Sequence, residues 1–228
     1  MAVLFIILLS LFKSQTPSFL HSYIFGTIFL IGLTLTISLL VSFYIYDISE
    51  LYKFNWLPDS QQKSVLNINA GFDETSSIIK NKYPNCNLTI CDFYNPAHHT
   101  EVSIKRARKA YPPVANTIQV TTDKLPFLDN SFDYTVAMLA AHEIREEKER
   151  VVFFKELNRV TKKTGQIFIT EHLRDWTNFM AYTIGFFHFH SRSSWLNTFK
   201  KANLKVKQEI KITPFITTFV VGKHGNTF

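Results

Sequence analysis

A chain of 228 residues with 22 Phe and a formal charge of +7 is too long for a disulfide-stapled mini-protein and has room for one α/β domain plus an appendage. Its Lys and Arg are scattered, clustering briefly at Lys105–Lys109 and Lys162–Lys163 with no Arg and aromatic stripe, which argues against nucleic acid as a partner. Cys86 and Cys91 are the only cysteines; they flank one short apolar run without a His or Cys pair at ligand spacing, so they read as reduced thiols, not as a bridge or a zinc site.

The apolar excess is concentrated at the start. Ser22 to Tyr46 (SYIFGTIFLIGLTLTISLLVSFYIY) carries no charge over 25 residues, enough to cross about 30 Å of hydrocarbon at ~1.5 Å per residue. Tyr23, Tyr44 and Tyr46 stand near its ends, where amphipathic rings favour the interface. Met1 to Phe12 is also apolar but would reach only ~18 Å. Residues 1–48 therefore read as a membrane anchor of one or two spans, with the lipid bilayer as a partner. Asp47 to Leu57 (DISELYKFNWL) mixes charge with Tyr52, Phe54 and Trp56. It is either a segment lying on the bilayer or a linker whose aromatics pack on the domain. Residues 49–63 are a linker, closed by Pro58-Asp59-Ser60, and a domain occupies 64–228.

The domain alternates strands and helices. Ser64–Asn69 is an apolar strand, and 74–82 a helix with Asp73 or Thr75 as N-cap. Leu88–Cys91 is the second strand, 103–110 a basic helix stopped by Pro112-Pro113, Thr117–Val120 the third strand and Phe132–Leu139 the fourth. Val151, Phe154, Leu157 and Val160 recur at helical spacing within a helix over 145–161. Gly165 is expected to turn the chain into a fifth strand at Gln166–Thr170. A helix at 193–202 precedes two strands in succession, 204–212 and 215–221, which predicts an antiparallel hairpin. The order describes an α/β, Rossmann-like, doubly wound sheet of seven strands with a terminal hairpin.

Two segments carry more than pattern. Leu125–Asp133 (LPFLDNSFD) and Glu156–Gly165 (ELNRVTKKTG) resemble the LPF-x-D-x-S-F-D and E-x-x-R-V-x-K-x-G-G segments of class I S-adenosylmethionine (SAM)-dependent methyltransferases, in the manner of a methyltransferase-11-like domain. The terminal hairpin agrees, whereas a nicotinamide-binding Rossmann domain would continue β-α-β and carry G-x-G-x-x-G. The resemblance implies SAM as cofactor, bound by the turns beyond the strand ends. It implies contacts from Asn67, Asn69 and Gly71 in the first turn, Asp92 after the second strand as ribose acceptor, Asp123 near the adenine, and Met138 along the methionine side. The first turn departs from the family pattern: Asn67 stands in place of the acid, Asn69 and Asp73 in place of two glycines, and only Gly71 remains. Asn tolerates positive φ better than most residues.

His142-Glu143 ends the fourth strand and Glu171-His172 the fifth, so both pairs should face one cleft. They are the candidate catalytic residues, with His142 as base because a neutral imidazole accepts protons near pH 7. Capping and hydrogen bonding to backbone are the bland readings of the same residues. Leu173–Trp195 is long and aromatic for a strand-to-helix connection; such a segment covers something apolar or packs on a membrane. Within it, His188 and His190 have no evident third ligand, so no metal is assigned. The function expected is SAM-dependent methyl transfer to a small, apolar or membrane-proximal acceptor, with the domain facing the cytoplasm. The alternative is a methyltransferase-like module that binds without catalysing.

Overall fold

The computed structural model describes residues 17–97 and 102–223. The apolar stretch Met1–Phe12 lies outside them, so the possible second span does too. The described chain starts with helix α1 (Ser18–Phe43), which widens into a π-type turn at Tyr44–Ile48. This is one helix long and apolar enough to cross a membrane by length and composition, and it lies near the N-terminus. The hydroxyls of Thr27, Thr34 and Thr36 donate to carbonyls three or four residues back, which satisfies them within the helix and leaves its outside apolar.

Seven strands form one sheet in the order β3-β2-β1-β4-β5-β7-β6. β1 (Ser64–Asn69), β2 (Asn87–Asp92), β3 (Ile118–Gln119), β4 (Phe132–Met138) and β5 (Thr161–His172) run parallel. β7 (Ile216–Lys223) is antiparallel to both β5 and β6 (Leu204–Thr213). The expected terminal hairpin is therefore present, and it closes the sheet beside β5. The chain leaves β1 toward β2 on one side and returns to β4 on the other, which opens a crevice beyond the carboxyl ends of β1 and β4.

Side chains alternate between two cores because successive residues of a strand point to opposite faces. On one face, Leu66, Ile68, Ile167 and Ile169 pack with Phe153, Phe154, Leu157 and Val160 of α4 (Glu147–Val160) and with Trp195 and Phe199 of α6 (Arg192–Lys201). On the other face, Val65, Val136 and Phe168 pack with Ile79 of α2 (Ser76–Lys82) and with Ile45, Leu51, Phe54, Trp56 and Leu57. The segment after the apolar helix is thus built into the domain: Leu51 and Phe54 are fully buried, and Trp56 stacks obliquely on Phe168 at 5.6 Å. Of the two readings of 47–57, packing on the domain is the one the fold adopts.

One expectation is corrected. Gly165 does not end a helix before a new strand; α4 passes into β5 at Thr161, and Gly165 lies inside the strand. The register jumps from Phe132↔Thr161 to Tyr134↔Gln166, so a wide bulge of β5 faces Asp133 alone. The backbone approaches closely there. A Cβ on Gly165 would sit 2.6 Å from the Asp133 carbonyl oxygen, which is why the bulge takes glycine.

Candidate active site

The turn after β1 is held by side chains where the family that the sequence resembles uses glycine. Asn69 Oδ1 accepts from the Gly71 amide at 3.0 Å, an Asx turn that closes the loop. Gly71 has φ +100, and a Cβ there would meet the Tyr94 ring at 2.9 Å, so the one surviving glycine is required for both reasons. Asn67 is fully buried, and its Nδ2 donates to Thr75 Oγ1 and Ser76 Oγ, each at 2.7 Å. It ties β1 to the start of α2 instead of pointing into the crevice. Of the two residues expected at the N-cap, Thr75 holds that position, and Asp73 Oδ1 accepts the Thr75 and Ser76 amides at 3.0 and 2.9 Å from just before it. Three polar atoms around this turn are buried without a protein partner: Asn69 Nδ2, a donor, and Asn67 Oδ1 and Asp73 Oδ2, acceptors.

The pairing register puts Asp92 level with Asn69, as the ribose assignment requires. Its carboxylate is already engaged. Oδ1 accepts the Tyr94 amide at 2.7 Å, and Oδ2 takes Arg108 of α3 (Val102–Ala110) at 2.5 Å. The same guanidinium donates to the Gly71 carbonyl at 3.1 Å and lies 4.5 Å from the Tyr94 ring. Asp92 is 1% exposed, so this ion pair is one of the less screened in the molecule.

Three cavities border the strand ends. One of about 330 Å³ is lined by Phe93, Val120, Thr121, Thr122, Asp123 and Glu149. It is the place implied for adenine, and a hydrogen bond from Thr121 holds the exposed Asp123 carboxyl below its usual range. A small one of about 60 Å³ lies against Asn69, Phe72 and Met138. A third, of about 320 Å³, is lined by Ser42, Tyr46, His142, His172, Tyr182 and Phe189, among others. The second and third share Glu74, Ile104, Leu139 and Glu143 as a common wall. A larger hollow, about 380 Å³, lies beside β2 and the short β3, away from the carboxyl ends.

The two acid–histidine pairs do converge on one cleft. His142 Nδ1 meets Glu171 Oε2 at 2.7 Å, and the His142 amide donates to Glu171 Oε1 at 3.2 Å. Glu143 Oε1 stands 3.4 Å from His142 Nε2. Burial opposes a charge on His142, but Glu171 and Glu143 outweigh it and push its pKa up to about 10. At neutral pH, His142 by itself thus holds a proton rather than accepting one, which runs against the base role expected of it. His172 is the opposite case: burial pushes its pKa down to about 4. Asn178 Nδ2 donates to Asp175 Oδ1 and the Phe215 carbonyl, so Asn178 Oδ1, 3.0 Å from His172 Nδ1, accepts from that ring nitrogen. His172 Nε2 is then left as an acceptor, 3.1 Å from the Tyr46 hydroxyl. The sequence pattern missed Tyr46 and Ser42, which come from the apolar helix, and Glu74, whose carboxyl burial raises against a hydrogen bond from Tyr52.

The aromatic segment after β5 folds into α5 (Trp176–Tyr182) and a 3-10 turn at Thr183–His188. His188 and His190 separate. His190 turns inward, with Nε2 3.1 Å from the Arg150 guanidinium and its ring edge-on to Trp195. His188 faces His142, with ring centroids 5.0 Å apart, and its Nε2 lies 3.8 Å from Glu143 Oε1.

Comparisons with known proteins agree with the topology. Residues 66–169 match the family model described as a methyltransferase domain. No curated protein sequence matches the chain. Among solved structures, a SAM-dependent methyltransferase from Aquifex aeolicus superposes with a TM-score of 0.53 at 15% identity, covering 77% of this chain and 93% of its own. One from Methanosarcina mazei gives 0.51 at 15% identity, covering 75% and 95%. At such identity the structural likeness speaks for the fold, and the family match for the kind of domain. Residues 66–169 thus resemble a methyltransferase domain, and the seven-stranded sheet has the fold seen in SAM-dependent methyltransferase structures.

Proposed function

We propose that this domain transfers the methyl group of SAM to a small, apolar acceptor that reaches it from a lipid bilayer. The observation that carries the reading is the shared wall of Glu74, Ile104, Leu139 and Glu143. It joins the glycine-turn cavity to a second cavity lined by Ser42 and Tyr46 at the end of the apolar helix. A cofactor at the first and an acceptor at the second would meet at that wall, and alignment is most of what methyl transfer asks of a protein.

The residues fit the cofactor at its two ends. The unpartnered Asn69 Nδ2 suits a carboxylate, and Asp73 Oδ2 with Glu74 suits an ammonium group, which together match an amino-acid moiety. The cavity of Phe93, Thr121, Thr122 and Asp123 suits an adenine ring. Asp92 suits ribose hydroxyls once Arg108 has left it. Bound there, SAM supplies an electrophilic methyl on a sulfonium. The chain supplies the rest: His172 Nε2 receives a proton relayed through the Tyr46 hydroxyl, and the His142–Glu171 pair fixes the turn after β4. Leu139, at φ +50, starts that turn in a conformation non-glycine residues rarely adopt.

The exposed side chains beside the apolar helix favour a membrane-proximal acceptor. Trp176, Met180, Ile184 and Phe187 of the α5 segment are 57–81% exposed, and α5 packs against α1. Packed beside the last turns of α1, they add to its exposed apolar surface. Because SAM is a cytosolic metabolite, the domain would face the cytoplasm. The competing reading, a domain that binds without catalysing, draws on the Arg108–Asp92 pair and the altered turn. Calorimetric titration of the detergent-solubilised chain with SAM and its demethylated product separates the two. Binding, followed by transfer of label from SAM into a lipid-extract component, is the expected result. No binding at millimolar ligand would sink the enzymatic reading.

A further inference from the structure

We infer that His142, Glu143 and His188 form a binding site for a divalent transition-metal ion on the wall of the acceptor cavity. Their ligand atoms lie within 4.8 Å of one another. Glu143 Oε1 is 3.4 Å from His142 Nε2 and 3.8 Å from His188 Nε2. Bonds of about 2.0–2.1 Å in a tetrahedral site require ligand-to-ligand edges of roughly 3.3–3.5 Å, so the first edge already has the right length and the second is a few tenths of an ångström long. Two imidazoles and one carboxylate, without thiolate, suit Zn²⁺, Fe²⁺ or Co²⁺ better than Mg²⁺ or Ca²⁺.

Independent geometry supports the same assignment. Glu171, 1% exposed, meets His142 Nδ1 at 2.7 Å. A carboxylate there accepts from Nδ1–H, orients the ring and turns Nε2 toward Glu143 and His188, where an entering ion takes the place of the Nε2 proton, as outer carboxylates commonly arrange for metal-bound histidines. The parts also come from rigid places. Glu143 and His142 sit on the 3-10 turn after β4, Glu171 on β5, and the carbonyl of His188 accepts from Arg145 across the cleft.

Three protein ligands leave a coordination position open. Because the three side chains line the acceptor cavity, that position faces the acceptor. An ion there would orient an oxygen nucleophile and favour its ionised form, which narrows the acceptor class to hydroxyl-bearing, phenol-like molecules with apolar bodies. This last step rests on the methyl-transfer reading; ion binding does not.

The test uses the full chain in detergent, stripped with a chelator and titrated without SAM. Co²⁺ is expected to bind at one equivalent, with visible bands of a four- or five-coordinate nitrogen–oxygen site and no thiolate charge transfer. Zn²⁺ should displace it. His188→Ala, on a partly exposed turn, should weaken binding by 100-fold or more, and Glu171→Gln by about 10- to 100-fold, with circular dichroism showing each variant folded. Absence of stoichiometric binding, or binding unchanged in folded His188→Ala, overturns the site. A SAM titration of the stripped protein runs in parallel: metal binding without SAM binding leaves the site standing and removes the methyl-transfer reading, and the converse removes the site alone.

Discussion

The Tyr46 hydroxyl lies 3.1 Å from His172 Nε2, so the end of a membrane-length helix and the end of the fifth strand meet in one hydrogen bond inside the cavity proposed for the acceptor. If the pair carries the acceptor's proton, Tyr46→Phe should leave SAM binding unchanged and lower turnover by roughly 10- to 100-fold. The lost hydrogen bond should cost about 1 kcal/mol of stability. Calorimetry, single-turnover rates and thermal melts on the same preparation give all three values. A fall in SAM affinity with unchanged turnover would contradict the role.

Arg108 and SAM should compete for Asp92. Arg108→Gln is expected to tighten SAM binding by about tenfold, ~1.4 kcal/mol. It should also destabilise the ligand-free protein by about 1–3 kcal/mol, because a buried carboxylate loses its charged partner. Asp92→Ala should abolish SAM binding. Opposite signs for affinity and stability in Arg108→Gln are the diagnostic outcome, read by titration and by melting curves without ligand.

Trp176 should report the bilayer. It is 72% exposed, whereas Trp56 and Trp195 are buried at 9% and 0%. In proteoliposomes, lipids brominated high on the acyl chain are expected to quench one component of the tryptophan emission, and Trp176→Phe should remove that component. Unquenched emission would place the α5 segment away from lipid.

Acid should weaken the fold before its carboxylates titrate. Burial holds His172 down to about 4 and His190 to about 3, against about 6.5 in an unfolded chain. For such groups the stability is fully present above the unfolded value. As pH falls from 6.5 toward 4 the unfolded chain takes up protons that the folded one refuses, and stability is lost. His172 faces Tyr46, Tyr182, Asn178 and His142, with Asp175 nearby. His190 faces Arg150, with Arg145 nearby. Melting temperature should drop across this window, and His172→Gln should flatten the drop, as calorimetric scans in steps of half a pH unit would record.

The sheet was legible because its strands are short apolar runs separated by polar turns, and the two successive strands at the end admitted only a hairpin. That His142-Glu143 and Glu171-His172 face one cleft followed from which strand ends lie side by side; the direct contact of His142 with Glu171 did not. Gly165 reads as a turn because a glycine after a helix usually marks one; the reason for it, the Asp133 carbonyl 2.6 Å from any Cβ, belongs to the neighbouring strand. The burial of Leu51, Phe54 and Trp56 was one of two readings that an amphipathic segment allows, and only a partner surface decides between them.

The site was less legible. His188 was noticed through its spacing from His190, yet these two point apart, and its actual neighbours lie over forty positions earlier. No local pattern announces such a meeting. Arg108 was part of a basic cluster whose ordinary reading is a solvated face. Its capture by Asp92 depends on α3 lying across the turn at Gly71.

Ser38, Ser42 and Tyr46 recur every fourth residue, and each bonds the domain, at the Ala181 carbonyl, the Tyr182 hydroxyl and the His172 ring. The helix is therefore splinted to the domain over its last two turns, not joined by a swivel. On the membrane reading, Leu20 to Ile37 remain for the bilayer, about 27 Å at ~1.5 Å per residue, close to a full hydrocarbon thickness. On the membrane reading, such a mount works as a depth gauge. It fixes how far the methyl-accepting cavity sits from the bilayer midplane, and so selects acceptors by the level at which they carry their reactive atom rather than by the length of their tails.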